Sequence, residues 1–404
     1  MPALDGMRVL DMTQYEAGTS CTQVLAWLGA DVVKVEPPGR GDPGRGVTQG
    51  PDVSQYFLNY NSNKRSIAVD LTKPEGRDLI LQLAPHYDVF VENYGPGVIE
   101  RLGLDYEALR AANPGIIYGR IKGFGLSGPY SGYKSYDWVA QAAGGTFSMT
   151  GTKDGPPMRP APTIGDSGTG IQMALAITAA YVQKQRTGEG QLIEVSMQEA
   201  VTMFMRTMGL RTWGTAPGER TGNRLGPPSD VYPCAPGGPN DYIFIMVVTT
   251  RMWDTLCAAI DRPELVNDPR FETGPARIEH GDALHAEIAK WTRQRTKHEA
   301  MRELGEAGVP CSAVLDTLDL FTDPHLVERG LVQTIPHPTA GDVRVMGSPL
   351  RLSASNVPLR AAPLHGEHTT EVLAADLGLD AAAIASLQQR GVVEAQRLTE
   401  EARR

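Results

Sequence analysis

A carboxylate shown at a glycine-lined turn has a direct route to covalent chemistry, and residues 160–182 contain one. Gly165-Asp166-Ser167-Gly168 follows the approach Pro160-Ala161-Pro162 and opens a helical pattern in which Ile171, Leu175, Ala179 and Val182 recur three and four apart. Asp166 has two readings there. As an N-cap it accepts a backbone N–H and complements the helix dipole. As a nucleophile it splits one difficult transfer into two easier ones, with Gly165 and Gly168 leaving room for a ligand carbonyl. The local residues leave both open. Gly168, Gly170, Ala174, Ala176 and Ala180 would let this helix lie close against a neighbour.

Other reactive residue types carry less. Cys21, Cys234, Cys257 and Cys311 are far apart and form no paired motif, which predicts reduced thiols. Cys21 lies in AGTSCTQVLAWLG, which reads as a buried helix face rather than a nucleophile's setting. The histidines show no metal-ligand spacing, His365 and His368 in HGEH being too weak a pair, so no metal site is expected. No GxGxxG or GxxxxGK[ST] occurs, so neither a dinucleotide fingerprint nor a P-loop is signalled.

The elements that would position Asp166 alternate. Strand-like runs at Met7–Met12, Val32–Glu36, Ser66–Asp70, Asp88–Glu92 and Ile116–Ile121 are interleaved with helical patterns at Cys21–Leu28 and from Pro74 to Leu83. This order predicts an α/β domain with a largely parallel sheet, whose ligands bind in the loops after the strands' carboxyl ends. Those loops carry polar residues: Thr13–Gly18, Pro37–Asp42, Lys73, Asn93–Gly97 with Arg101, and residues 124–134. Scattered Lys and Arg at such loop mouths suit a phosphorylated ligand and equally suit a solvated surface.

At 404 residues the chain has room for two domains. The expected division is a large Rossmann-like domain over residues 1–208, a Gly-, Arg- and Pro-rich linker over 209–230, and a smaller α+β domain over 231–332. Residues 338–404 return to the first domain and end in the charged tail EEARR. The small domain opens with VYPCAPGGPNDYIFIMVV, strong turn chemistry between two β-rich runs. Helical patterns follow at Met252–Ile260, Ala283–Thr292 and Lys297–Ala307, and again from Ala381. With 38 basic and 47 acidic side chains the net charge of -9 argues against nucleic-acid or anionic-membrane partners. No apolar run is long enough to span a bilayer, and MPALDGMRVLDM lacks a signal peptide's regions, so a cytoplasmic location is expected.

Taken in order, VLDMT, LGADVVKVEPPGRGD, NSNKRSIAVDL, DVFVENYGPGVIERLGL, IKGFGLSGP, GDSGTG, TGEGQLIEVSMQEA, DRPELVNDPRF, AGVPCSAV and HGEHTTEVL give the chain a specific pattern. It resembles the class III CoA-transferase family. The resemblance implies a CoA-transferase with an interlocked homodimer, a CoA thioester as substrate rather than a resident cofactor, and a carboxylic acid as acceptor. It places Asp166 on the catalytic aspartate, which passes through a mixed anhydride and an aspartyl-CoA thioester. It implies an acyl site at Glu16, Val47, Tyr136 and Gly165, and CoA contacts at Lys73, Asn93, Tyr94, Arg101 and Lys134. Three departures fall at the acyl end. Glu16 stands where formyl-CoA transferases of the family have glutamine, Val47 replaces a tryptophan, and a tetraglycine loop is replaced by the shorter GNRLGPP at 222–228.

Three other readings are weaker. The same fold hosts α-methylacyl-CoA racemases, which need an acid and a base about the α-carbon, but no histidine lies between His86 and His280. A non-catalytic CoA-binding scaffold would bind acyl-CoA without turnover. An NAD-dependent oxidoreductase lacks its glycine fingerprint.

Overall fold

The computed structural model describes residues 1–47, 54–208, 212, 214–224 and 226–396. In chain order the strands are β1 (Arg8–Met12), β2 (Asp31–Glu36), β3 (Arg65–Val69), β4 (Val89–Glu92), β5 (Ile117–Lys122), β6 (Leu192–Ser196), β7 (Asp230–Pro233), β8 (Tyr242–Ile245), β9 (Cys311–Ala313), β10 (Val332–His337), β11 (Gly341–Met346) and β12 (Val393–Glu394). The chain forms two compact units. One comprises Met1–Ser148, Met158–Gly218 and the segment from Glu328 onward, and the other Met149–Pro157 and Glu219–Val327.

In the first unit seven strands form one sheet in the order β12-β3-β2-β1-β4-β5-β6. All its pairings are parallel except that of β12 with β3. Strands β4 and β5 are buried along their whole length, as expected of a parallel sheet covered on both faces. One face packs Leu10, Val33, Ile67, Phe90 and Tyr118 against α3 (Pro74–Leu83) and α5 (Tyr106–Ala112). The other packs Val9, Val32, Val91 and Ile117 against α1 (Ala17–Trp27) and α8 (Ser167–Thr187). Between these helices in the chain lie α2 (Gln55–Asn61), α4 (Val98–Arg101), α6 (Asp137–Ala143) and α7 (Thr146–Met149), and α9 (Met197–Phe204) follows α8. Strands β10 and β11 make a separate antiparallel hairpin.

The second unit folds β7, β8 and β9 into an antiparallel sheet. Its core joins Tyr232, Ile243, Trp253, Phe271 and Ile288. The expected hairpin between 231 and 248 is β7–β8, and the three expected helices run Thr250–Ala259, Gly281–Thr292 and Lys297–Glu306.

Several boundaries differ from the sequence reading. The second unit begins before the expected linker ends, taking in Glu219 onward and the excursion Met149–Pro157, and the return starts at Glu328 rather than 338. Part of the expected linker, Leu225 of GNRLGPP, and the tail EEARR lie outside the described residues. Helix α1 starts at Ala17, four residues earlier than the apolar pattern suggested. Its first turn is Ala-Gly-Thr-Ser, which has no apolar period to read. Those small residues serve a close crossing: a Cβ on Gly170 of α8 would lie 2.4 Å from the Ala17 carbonyl oxygen. On α8 the buried stripe is Gly168, Gly170, Met173, Ala174, Ile177 and Ala180. Ile171, Leu175 and Val182, three of the apolar positions in the helical pattern, are more than half exposed on this chain.

Candidate active site

Strand order reverses direction between β1 and β4, since β1 leads outward to β2 while β4 begins the other wing. At the carboxyl ends of β1, β4 and β5 lies a cavity of about 310 Å³. Open α/β sheets hold ligands at such a point. The loop Gln14–Ala17 forms one wall, Asn93–Pro96 another, Gly123 and Tyr133–Tyr136 a third, and Asp166 reaches in from the start of α8.

The turn that presents Asp166 is fixed by a second aspartate. Asp137, buried at the first position of α6, accepts from the Gly165 amide (2.8 Å), the Asp166 amide (3.2 Å) and Gln141 Nε2 (2.7 Å). Gly165 has to be glycine, because a Cβ would stand 2.6 Å from the Asp137 carbonyl oxygen. The Ser167 amide meanwhile donates to the Thr163 carbonyl. The amides of Gly165, Asp166 and Ser167 are thus occupied, and they do not form a ready oxyanion hole.

Asp166 stands at the N-cap position of α8, yet its side chain makes no capping hydrogen bond. The position fits the N-cap reading, but the capping hydrogen bond of that reading is not made. Burial, reinforced by the charges of Glu16 and Asp137, pushes its carboxyl up to about 8. Glu16 lies just ahead of α1 and is 3% exposed. Its Oε1 accepts from Ser167 Oγ at 2.7 Å, and its charge adds to burial in raising the Tyr60 phenol. No ion pair joins Glu16 to a lysine or arginine among the described residues.

The remaining residues named from the sequence divide into those at the cavity and those away from it. Tyr136 lines the cavity, largely exposed and edge-on to Tyr15 at 6.4 Å. Lys134 lines it from an exposed position. Asn93 lines it too, but its amide is spent on the neighbouring loop, accepting from Gln14 N (2.8 Å) and donating to Gln14 O (2.9 Å). Tyr94 completes this wall; its carbonyl accepts from Lys122 Nζ at 2.7 Å, while Lys122 pairs with Glu92, also at 2.7 Å. Arg101 is exposed at the end of α4, one helical turn beyond the lining loop. Val47 is half exposed after the short 3-10 turn Pro43–Gly46 and does not line the cavity. Lys73 is elsewhere, its ammonium donating to the carbonyls of Arg390 and Gly391.

Asp137, Tyr60 and Ser167 carry no local sequence signal of a place at the site. Asp137 directly follows Tyr136 and reads as an ordinary first-turn acid. Tyr60 lies in α2, whose pattern QYFLNYN gave no element. Ser167 lies inside the GDSG turn, where nothing local ties its hydroxyl to Glu16. Among the described residues no group of three or more His, Cys, Asp or Glu is placed to hold a metal ion, and no helix is long and apolar enough to cross a membrane.

The sequence profile of CoA-transferase family III matches residues 4–369. The chain belongs to CoA-transferase family III, and it is a CoA-transferase. The formyl-CoA:oxalate CoA-transferase of Streptomyces avermitilis is 42% identical over 409 residues, covering 97% of this chain and 99% of that relative. The enzyme of the same name from Rhodopseudomonas palustris (strain BisA53) is 38% identical over 416 residues, covering 97% of each chain. Among solved structures, a CAIB/BAIF family protein from Brucella suis superposes with a TM-score of 0.82 at 32% identity, covering 93% of this chain and 99% of that one. Rv3272 from M. tuberculosis gives 0.78 at 30%, covering 92% and 98%.

Proposed function

We propose that the transferase moves CoA from an acyl-CoA thioester to a free carboxylic acid with Asp166 as the covalent carrier. The observation that carries this reading is that the Asp166 carboxylate enters the cavity without capping its own helix. Its oxygen attacks the thioester carbonyl, the C–S bond breaks, and a mixed anhydride forms with release of CoA thiolate. The thiolate attacks the aspartyl carbonyl, giving an aspartyl-CoA thioester and freeing the first acid. The acceptor carboxylate then attacks that thioester, forming a second anhydride and thiolate. Attack of the thiolate on the acceptor's acyl carbon restores the Asp166 carboxylate. Each intermediate keeps the carbonyl activated, and the held thiolate reacts without a diffusive search.

In this reading Glu16, Tyr136 and Gly165 border the acyl group, with Val47 on the more distant chain leading from β2. Lys134 and the Asn93–Tyr94 wall meet the upper part of CoA, and the exposed Arg101 serves phosphates farther out, whereas the Lys73 ammonium is committed to backbone carbonyls. Ile171, Leu175 and Val182 on α8, with Met203 and Phe204 on α9, are exposed apolar side chains on the single chain. They support a homodimer as the working form. Free thiols at all four cysteines suit a cytoplasmic location. No histidine lines the cavity among the described residues, so none is placed there to complete an acid–base pair about an α-carbon.

Incubation with formyl-, acetyl- or succinyl-CoA followed by hydroxylamine or borohydride, with peptide mapping by mass spectrometry, tests this reading. Modification of Asp166 that requires an acyl-CoA is the expected result. Binding of every donor with no modification at Asp166 would sink the nucleophile assignment.

A further inference from the structure

We infer that Glu16 selects the acceptor by charge, so that acids carrying one carboxylate are taken in preference to those carrying two. This rests on the Asp166 reading above and adds to it the class of acid accepted.

Three observations converge on Glu16. It is nearly inaccessible to solvent and lines the same cavity as Asp166. Its carboxylate is held by a hydroxyl, Ser167 Oγ donating to Oε1 at 2.7 Å. Hydroxyls hold a carboxylate in place without cancelling its charge. The cations nearest the cavity do not neutralise it: Lys122 is paired with Glu92 at 2.7 Å, and Lys134 is exposed on the rim. Asp137, the other acid of the site, is already saturated by three N–H donors.

The chemistry makes that charge discriminating. A reacting carboxylate gives up its charge on forming the anhydride, because the negative charge leaves on the CoA thiolate. Asp166 is likewise neutral throughout its acylated states. A second carboxylate on the acceptor stays charged through every step, facing Glu16 in a confined site. A unit charge about 5 Å from another, at an effective dielectric near 20, is disfavoured by on the order of a hundred-fold. Like-charge rejection of this kind is a common source of specificity. The nucleophile is the same for every acceptor, so changes in Asp166 itself cancel when two acceptors are compared.

Isosteric acceptors that differ by one charge test the inference on the intact protein. With the acyl-CoA that labels Asp166 best, kcat/KM for CoA transfer is compared between oxamate and oxalate, and between malonamate and malonate. In the wild type the monoanion of each pair is favoured ten-fold or more, and in Glu16→Gln that ratio shrinks at least ten-fold. Where a pair is not turned over, its two members are compared as inhibitors of transfer, with the same ratio expected. Dianions equal to or better than their monoanionic partners in the wild type overturn the inference, and this outcome needs no variant to fold. An unchanged ratio in a folded Glu16→Gln protein also overturns it. Failure of the Asp166 reading would look different, as turnover with no covalent label on Asp166.

Discussion

Two groups of buried acids lie within the first unit of this chain, and they are treated in opposite ways. Below the β1 and β2 loops, each carboxylate has a cation. Lys64 Nζ meets Asp11 at 3.1 Å, Lys34 Nζ meets Asp42 at 2.6 Å, and Arg45 Nε meets Glu36 at 2.7 Å. Burial alone would raise the Asp11 and Glu36 carboxyls, but their cations and hydroxyl donors draw both down to about 2. This block holds the loop above it: Asp42 accepts from the Tyr15 amide and Lys34 donates to the Thr13 carbonyl. A few residues away, Asp166 and Glu16 share a cavity with no cation assigned to either, and Asp166 rises to about 8. The same side chain is therefore a structural anchor in one place and a reactive group in the other. The difference lies in whether the fold provides a counter-charge.

Exchanging the roles should fail unequally. Asp166→Ala should reduce turnover by about 10³-fold or more while leaving the fold intact, since the proposed chemistry passes through that carboxylate; steady-state rates and a thermal melt check it. Asp11→Ala should do the reverse in kind, lowering unfolding stability in urea by about 3–5 kcal/mol, because it leaves buried ammonium groups without their partner.

Acidity separates the two groups further. Asp11 and Glu36 have lowered folded values, so their stabilisation is present above the ordinary carboxylate range and lost as pH falls from about 4 towards 2. Asp166 has a raised value, so stability is fully present below about 4 and declines as pH rises towards 8. Asp166→Asn should therefore be more stable than the wild type by about 1–2 kcal/mol at pH 8, after allowance for solvent screening, with the gap closing near pH 4. Paired melts across that range measure it. The wild-type kcat/KM for acyl-CoA should climb through about pH 8 as Asp166 ionises. The smallest effect expected is that of Ser167→Ala, which removes one donor from Glu16 and should cost about 1 kcal/mol in stability.

The parallel sheet was legible because the strands of its core are continuous apolar runs with polar loops between them. Family membership was legible because short motifs recur in order over the whole chain. Asp166 stood out by its glycine-flanked turn. What the sequence hid was pairing across distance. Nothing local tells Asp137 that it will clamp the Gly165–Asp166 peptide, or Ser167 that its hydroxyl will meet Glu16. Asn93 and Lys73 illustrate the converse: side chains that look available for a ligand are bonded to backbone of their own chain. The spacing of Ile171 and Leu175 gave the helix correctly, but spacing alone does not say which face turns inward, and the buried stripe is the small-residue one.

The strand β12, two residues long, runs against the direction of every other strand in its sheet and closes the β3 edge. Lys73 fastens the chain just before it. An uncovered strand edge is a template for pairing with another molecule, so this short segment works as a selvedge, finishing the fabric where it would otherwise fray into its neighbours. A protein cut before Gly391 would keep its cavity residues in sequence, but it would carry an open hem, with sticking between copies rather than lost chemistry as the first consequence.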